Sequence, residues 1–187
     1  DKEVLLQSHN FNLQEKKTER DGVLIGHGTI QKRKVCVYAQ EFSHMGGSMG
    51  EMHNKKIAKI MELALSMGCP IIGLLDSGGA RIQEGIQGLD GGGNIFRLNT
   101  QSSGVIPQIS AILGPCAGIA VYSPALTDII CMVENVSNMF ITGPDVIKTV
   151  TGETVDFEGL GGPSIHGTKS GVAHLISKTE KECIGKI

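Results

Sequence analysis

Twice in its central region the chain writes an apolar run, a turn of small residues and then residues suited to a helix. The first is IIGLLDSGGARIQEG from Ile71; the second is ISAILGPCAGIAVYSPA from Ile109. Runs this apolar fit strands buried on both faces, as in a parallel sheet. A strand that ends in small residues and turns into a helix leaves consecutive N–H groups unpaired. Two such turns at the ends of neighbouring strands bring two N–H donors around one point, the arrangement of an oxyanion hole. Side-chain identity matters little in this design, except that bulk blocks the approach. Gly78, Gly79 and Ala80 in the first turn, and Ala117 and Gly118 in the second, satisfy that condition.

Glycine usage points the same way. The chain holds 26 glycines in 187 residues, about twice the ordinary share. Glycine weakens helices and strands, so the excess belongs where backbone bends sharply or where something approaches it closely. Aromatic residues make up only 4% and tryptophan is absent, which leaves Ile, Val, Leu, Met and Ala to build the interior.

The rest of the sequence sorts into alternating strands and helices. GVLIGHGTI and VCVYAQ, joined by QKRK at Gln31–Lys34, predict a hairpin. In EMHNKKIAKIMELALSMG, Ile57, Ile60, Met61 and Ala64 recur at helical spacing, with Gly68 placed as a C-cap. A strand over Pro70–Leu75 follows, then a Gly-rich loop at Gly91–Gly93 and a weak helix. Further strands are expected at Ile106–Leu113, Asp128–Val133, Met139–Ile141 and VAHLIS, and helices over Ala117–Leu126, from Pro144 and near Pro163. Residues 1–20 are polar, with a short amphipathic helix as their one structural candidate. TEKECIGKI begins a helix without a stop signal, so the chain is expected to be a piece of a larger one. The alternation predicts an α/β fold.

Composition excludes several classes. A net charge of −2 gives no electrostatic reason to expect nucleic acid or an anionic membrane surface as partner. No apolar stretch approaches the roughly 18–20 residues of a membrane span, and DKEVLLQSHNFNLQEKKTERD lacks a signal peptide's apolar core. Cys36, Cys69, Cys116, Cys131 and Cys183 form no CxxC pair, and a reducing compartment, hence the cytoplasm, fits them best. The six histidines make no HxxxH or HExxH grouping, so no protein-bound metal is expected. A P-loop is absent as well.

GPCAG at Gly114–Gly118 admits two readings. As G-x-C-x-G it matches a thiol nucleophile elbow, with Cys116 served by His166 or His174 and by Asp128 or Asp156. As a small-residue turn it contributes only backbone, and Cys116 is a packing residue. A third possibility, of a different class, is a noncatalytic scaffold.

Six ordered blocks (DGVLIGHGTI, EFSHMGGSMGEMHNKKI, DSGGARIQEG, SGVIPQI, GPCAGIAVYSPALTD and MFITGPDVIKTVTGE) closely resemble the carboxyltransferase β subunit of biotin-dependent acyl-CoA carboxylases. The nearest type is the propionyl-CoA carboxylase β-chain and its methylmalonyl-CoA decarboxylase relatives. The resemblance runs from Asp21 to the end and covers the N-terminal half of such a subunit, with the C-terminal half absent. It implies a crotonase-like spiral of ββα units. It also implies an enzyme that moves a carboxyl group between carboxybiotin, borne on a partner carrier domain, and a short-chain acyl-CoA. Propionyl-CoA with methylmalonyl-CoA, and acetyl-CoA with malonyl-CoA, are the expected pairs. Implied partners are the biotin carboxyl carrier protein, biotin carboxylase, the missing C-terminal half and further copies in a homo-oligomer.

By position, the family's acyl-CoA oxyanion hole falls on the N–H groups of Ala80 and Ile119, flanked by Gly79 and Gly118. Where the family has glycine, Ile119 keeps its N–H, and its side chain is expected to narrow the pocket or demand a negative φ. The segment that contacts the CoA nucleotide falls on Gly46, Gly47, Ser48, His53, Lys55 and Lys56, with Arg33 as a further phosphate contact. Arg81, Gln83 and Glu84 are expected to order the first turn, and His44 is a further candidate contact.

Overall fold

The computed structural model describes residues 19–187. The candidate N-terminal amphipathic helix lies outside them. β1 (Val23–Ile30) and β2 (Arg33–Gln40) form the expected antiparallel hairpin. Its tight turn is Gln31–Lys32, both at positive φ (50° and 68°), as such a turn requires of its two central residues. From β2 onward the sheet is parallel: β3 (Ile71–Ser77), β4 (Gln108–Ala117), β5 (Ile129–Val133) and β7 (Leu175–Ser177) follow in order. β6 (Asn138–Phe140) pairs with the far half of β4.

α1 (Glu51–Met67) packs on the hairpin because its apolar stripe, Ile57, Ile60, Met61 and Ala64, has nowhere else to hide from water. It ends where predicted. Gly68 takes the left-handed conformation (φ 61°, ψ 40°), and its N–H donates to Ala64 and Leu65 carbonyls.

α2 (Ile86–Ser102) corrects one expectation, since Gly91–Gly93 is the middle of a helix and not a loop. The glycines are there for close packing. A Cβ on Gly91 would sit 2.6 Å from Cβ of Asn54, a buried α1 side chain whose amide already donates to Gly88 O at 2.8 Å. One on Gly92 would overlap Ile119 of α3 (Ile119–Ala125), whereas Gly93 faces open space. Beyond β6 come α4 (Pro144–Thr151), α5 (Phe157–Gly161), α6 (Pro163–Thr168) and α7 (Glu180–Lys186). Of these, α5 had no counterpart among the predicted elements.

The main core fills the space between one sheet face and α1, α2 and α3, and a smaller one lies on the other face around Ala111, Cys131, Val133 and Cys183.

Beside the main core lies a buried charge cluster. The Arg81 guanidinium is 1% exposed and donates to Asp21 Oδ1 (2.6 Å), Glu84 Oε1 (2.9 Å), Ser48 Oγ (3.2 Å) and Ser48 O (2.8 Å). Glu84 in turn accepts from Glu51 N–H at 2.6 Å, which fixes the start of α1. Burial works against a charged Asp21, but the His44 hydrogen bond and Arg81 hold its carboxyl below the usual range.

Register changes between Leu75 and Ser77, which face Ile112 and Cys116, so β4 carries two extra residues there. Asp76 lies over this bulge, against Gly114, where a Cβ would overlap its carboxylate. Its Oδ1 is buried without a hydrogen-bond partner among the described residues. Burial, and secondarily the charge of Glu180, push its pKa up to about 6.

Four outcomes follow from this packing. Gly93→Ala is expected to raise stability by about 1 kcal/mol through helix propensity, while Gly91→Ala lowers it because overpacking outweighs that gain. Urea midpoints check both. Arg81→Met leaves two buried carboxylates uncompensated and is expected to cost about 3–5 kcal/mol in the same assay. Asp76 binds its proton more tightly folded than unfolded, so its contribution is present at acid pH and lost as pH rises through about 6. Asp76→Asn should therefore gain on the parent protein between pH 4.5 and 8, by on the order of 1 kcal/mol in paired melts.

Candidate functional site

β3 and β4 are parallel neighbours, so the turns that follow them emerge side by side. They touch. Gly79 has φ 103°, and a Cβ there would lie 2.7 Å from Ala117 O, a contact only glycine permits. Gly118 makes the second turn at φ 54°, ψ −123°, and the chain then enters α3 at Ile119.

Most N–H groups around the turns are committed to support. Gly78 N–H donates to Gly46 O (2.8 Å), Gly79 N–H to Ser77 Oγ (3.2 Å) and Arg81 N–H to Met49 O (3.0 Å). Gly118 N–H donates to Phe140 O (3.3 Å) and Ile141 O (3.1 Å). Among the described residues, the N–H groups of Ala80 and Ile119 have no hydrogen-bond partner, and both residues line the same cavity. That cavity is about 660 Å³, in the range of small-molecule sites. Leu89 and Phe96 of α2, Tyr122 of α3, Ile141 just after β6 and Val146 of α4 give it apolar walls. The N–H groups of Thr142 and Gly143, also on its wall, are likewise without a partner among the described residues. Such a site suits an apolar group carrying an oxygen that gains negative charge.

Ile119 does not protrude into the cavity. It is 6% exposed and its side chain packs on Gly92. The positive φ falls on Gly118, and Ile119 begins a helix.

The CoA-contact expectation needs correction at two residues. Lys56 is fully buried, and its Nζ donates to Arg20 O (3.0 Å) and Val23 O (2.6 Å), which ties α1 to the start of β1 and the residues just before it. His53 is also buried. Its N–H donates to Asp21 Oδ2 at 2.9 Å, Nδ1 lies 3.0 Å from Asp21 O, and burial pushes its pKa down to about 4. Neither side chain can meet a phosphate in solvent. Lys55 alone of the three is exposed, paired with Glu51 at 2.7 Å.

Gly46, Gly47 and Ser48 lie behind the first turn: Gly46 O and Gly47 O accept from Gly78 N–H and Ser77 Oγ, and Ser48 binds Arg81. Arg33 opens β2 at the opposite end of the sheet, more than the full length of β2 away from the turns. Arg81 and Glu84 do order the first turn, whereas Gln83 is exposed. His44 is buried beside Asp21, at 3.5 Å.

Cys116 does not sit at an elbow. It is a ladder residue inside β4, paired with Ser77 and Met139, fully buried, and burial pushes its thiol far up. Its candidate helpers are engaged elsewhere. His166 bonds Ser170 Oγ and Met139 O, His174 accepts from Ile130 N–H, Asp128 accepts from Gln108 N–H, and Asp156 caps α5. Among the described residues no three His, Cys, Asp or Glu side chains group to hold a metal ion. No described helix is long and apolar enough to cross a membrane.

Sequence reasoning missed the supporting Asp21, Ser77 and Met49, and the wall residues Leu89, Phe96 and Tyr122. Leu89 and Phe96 stand seven apart, a helical signal hidden by the glycines between them.

Comparison with known proteins bears on this geometry. The chain is 57% identical over 181 residues to the propionyl-CoA carboxylase carboxyltransferase subunit of Haloferax mediterranei. It is 58% identical over 178 residues to the methylmalonyl-CoA decarboxylase subunit alpha of Veillonella parvula. These alignments cover 97% and 95% of this chain but 35% of each relative, so it spans about a third of their length. Among solved structures, transcarboxylase 12S with methylmalonyl-CoA and methylmalonic acid bound superposes with a TM-score of 0.94 at 46% identity, over 98% of this chain and 37% of that one. The beta subunit of geranyl-CoA carboxylase from P. aeruginosa superposes at 0.76 with 25% identity, over 89% of this chain and 31% of that one. The fold is therefore the crotonase-like α/β fold of carboxyltransferases. The Carboxyl transferase domain model matches residues 1–187, and with that match and these superpositions the chain belongs to the carboxyl transferase domain family.

Proposed function

We propose that this chain holds the thioester of a short-chain acyl-CoA during biotin-dependent carboxyl transfer. The observation that carries the reading is the pair of unpartnered N–H groups, Ala80 and Ile119, on one cavity at the ends of adjacent strands. Loss of a proton or a carboxyl group from the α-carbon of a thioester turns its carbonyl into an enolate oxygen. Two fixed donors stabilise that oxygen more than the ground-state carbonyl, and one such donor is worth about 3 kcal/mol in the transition state. The same site serves carboxylation and decarboxylation, because one intermediate lies between them. The names of the relatives favour propionyl-CoA and methylmalonyl-CoA, with acetyl-CoA and malonyl-CoA as the next pair.

Biotin, as the carboxyl carrier, supplies the carboxyl group and a base when it is bound. Backbone N–H donors suit a thioester carbonyl and a ureido oxygen alike, and the apolar walls favour the acyl group at Ala80 and Ile119. The nucleotide end of CoA is assigned to Lys55, an exposed cation near the start of α1. The carrier protein, biotin carboxylase, the remaining part of the subunit and further copies of this chain are the proposed partners. Free buried thiols at all five cysteines support a cytoplasmic setting. Little turnover is expected from this chain alone.

Calorimetry with propionyl-CoA and free CoA tests the proposal. The thioester should bind more tightly than CoA, and Ala80→Pro, which deletes one N–H, should weaken the thioester about tenfold without changing free CoA. Equal affinity for both ligands, or a folded Ala80→Pro variant with unaltered selectivity, would overturn it. A folded chain with no CoA affinity returns the scaffold reading.

A further inference from the structure

Along α2, Leu89, Gly92 and Phe96 stand at i, i+3 and i+7, a stripe on one helix face, and Leu89 and Phe96 line the cavity. Gly92 leaves a notch between them. The Ile119 side chain fills that notch from α3, so closely that a Cβ on Gly92 would overlap its Cγ1 and Cδ1. Next to it the rings of Phe96 and Tyr122 meet edge to face at 6.1 Å and tie α2 to α3. The wall is continuous because a large residue and an absent side chain have been matched across two helices.

From this packing we infer that Ile119 is the stop that limits acyl-chain length, with Gly92 as its socket. The inference rests on the thioester placement proposed above. An oxygen held by the Ile119 N–H puts the acyl chain within a few bonds of the Ile119 side chain. A short chain fits against the closed wall. A longer one needs the notch, which the isoleucine occupies.

The test measures affinities of acetyl-, propionyl-, butyryl- and hexanoyl-CoA for the parent chain and three variants, with thermal unfolding to establish that each is folded. Ile119→Gly should raise the hexanoyl-to-propionyl affinity ratio at least tenfold, since each buried methylene is worth about fourfold in binding. Ile119→Val, which removes one methylene and keeps the fold, should favour butyryl-CoA over propionyl-CoA by about two- to fourfold. Gly92→Ala pushes Ile119 toward the cavity and should shift preference the other way, toward acetyl-CoA. Shifts of opposite sign separate a matched pair from general loosening. Ratios that stay within about twofold in folded variants, while propionyl-CoA still binds the parent, overturn this inference alone, because a single methylene already carries more than that. A folded parent that binds no thioester overturns both it and the functional proposal.

Discussion

The site depends on one buried guanidinium. Arg81 joins Asp21 before the first strand, Ser48 in the glycine loop and Glu84 after the turn, and Glu84 carries the connection to the first N–H groups of α1. Three segments far apart in sequence, at Asp21, Ser48–Glu51 and Arg81–Glu84, are thereby joined through one planar cation, whose fixed fork sets their relative positions. Burying charge in this way is costly, and a well-packed apolar cluster of the same size stabilises a fold at least as well. What the cluster supplies is geometry. It holds the backbone of Gly78–Ala80 from behind, with donors and acceptors already satisfied, and leaves the Ala80 N–H unclaimed.

Glycine serves three separate purposes around that site. Gly79 and Gly118 adopt positive φ and let the two turns meet without side chains between them. Gly47 lies against the backbone of Asp76 and Ser77, so the supporting loop presses directly on the end of β3. Gly88, Gly91 and Gly92 sit in a helix, where they lower its intrinsic stability but allow it to approach Met49, Asn54 and Ile119 closely. The cavity wall is formed by that approach.

Much of this was legible from residue order. The strand ends at SGGA and AG, the helix over Glu51–Met67 with its Gly68 cap, and the alternation that predicts a parallel sheet all rest on local rules of pattern and turn chemistry. Three readings failed for nonlocal reasons. Gly91–Gly93 reads as loop by propensity, yet packing against Asn54 and Ile119 makes it helical. Lys56 reads as a solvated cation, but it is buried where Arg20 and Val23, at the entry to β1, offer carbonyls. Of the two readings of Cys116 the elbow nucleophile is the one that fails, because the ladder to β3 and β6 continues past it and buries the thiol as a packing residue.

By itself, then, the sequence determined the elements and the two small-residue turns, because capping, turn preference and hydrophobic period act within a few neighbours, whereas the choice of Ala80 and Ile119 as donors came from its resemblance to the carboxyltransferase family. Only the tertiary structure decided which cations are ligand-accessible, how the two turns meet, and how Ile119 finds its place against Gly92. Those outcomes depend on contacts between segments tens of residues apart, and no local pattern encodes which surface a side chain will find when the sheet and its helices close together.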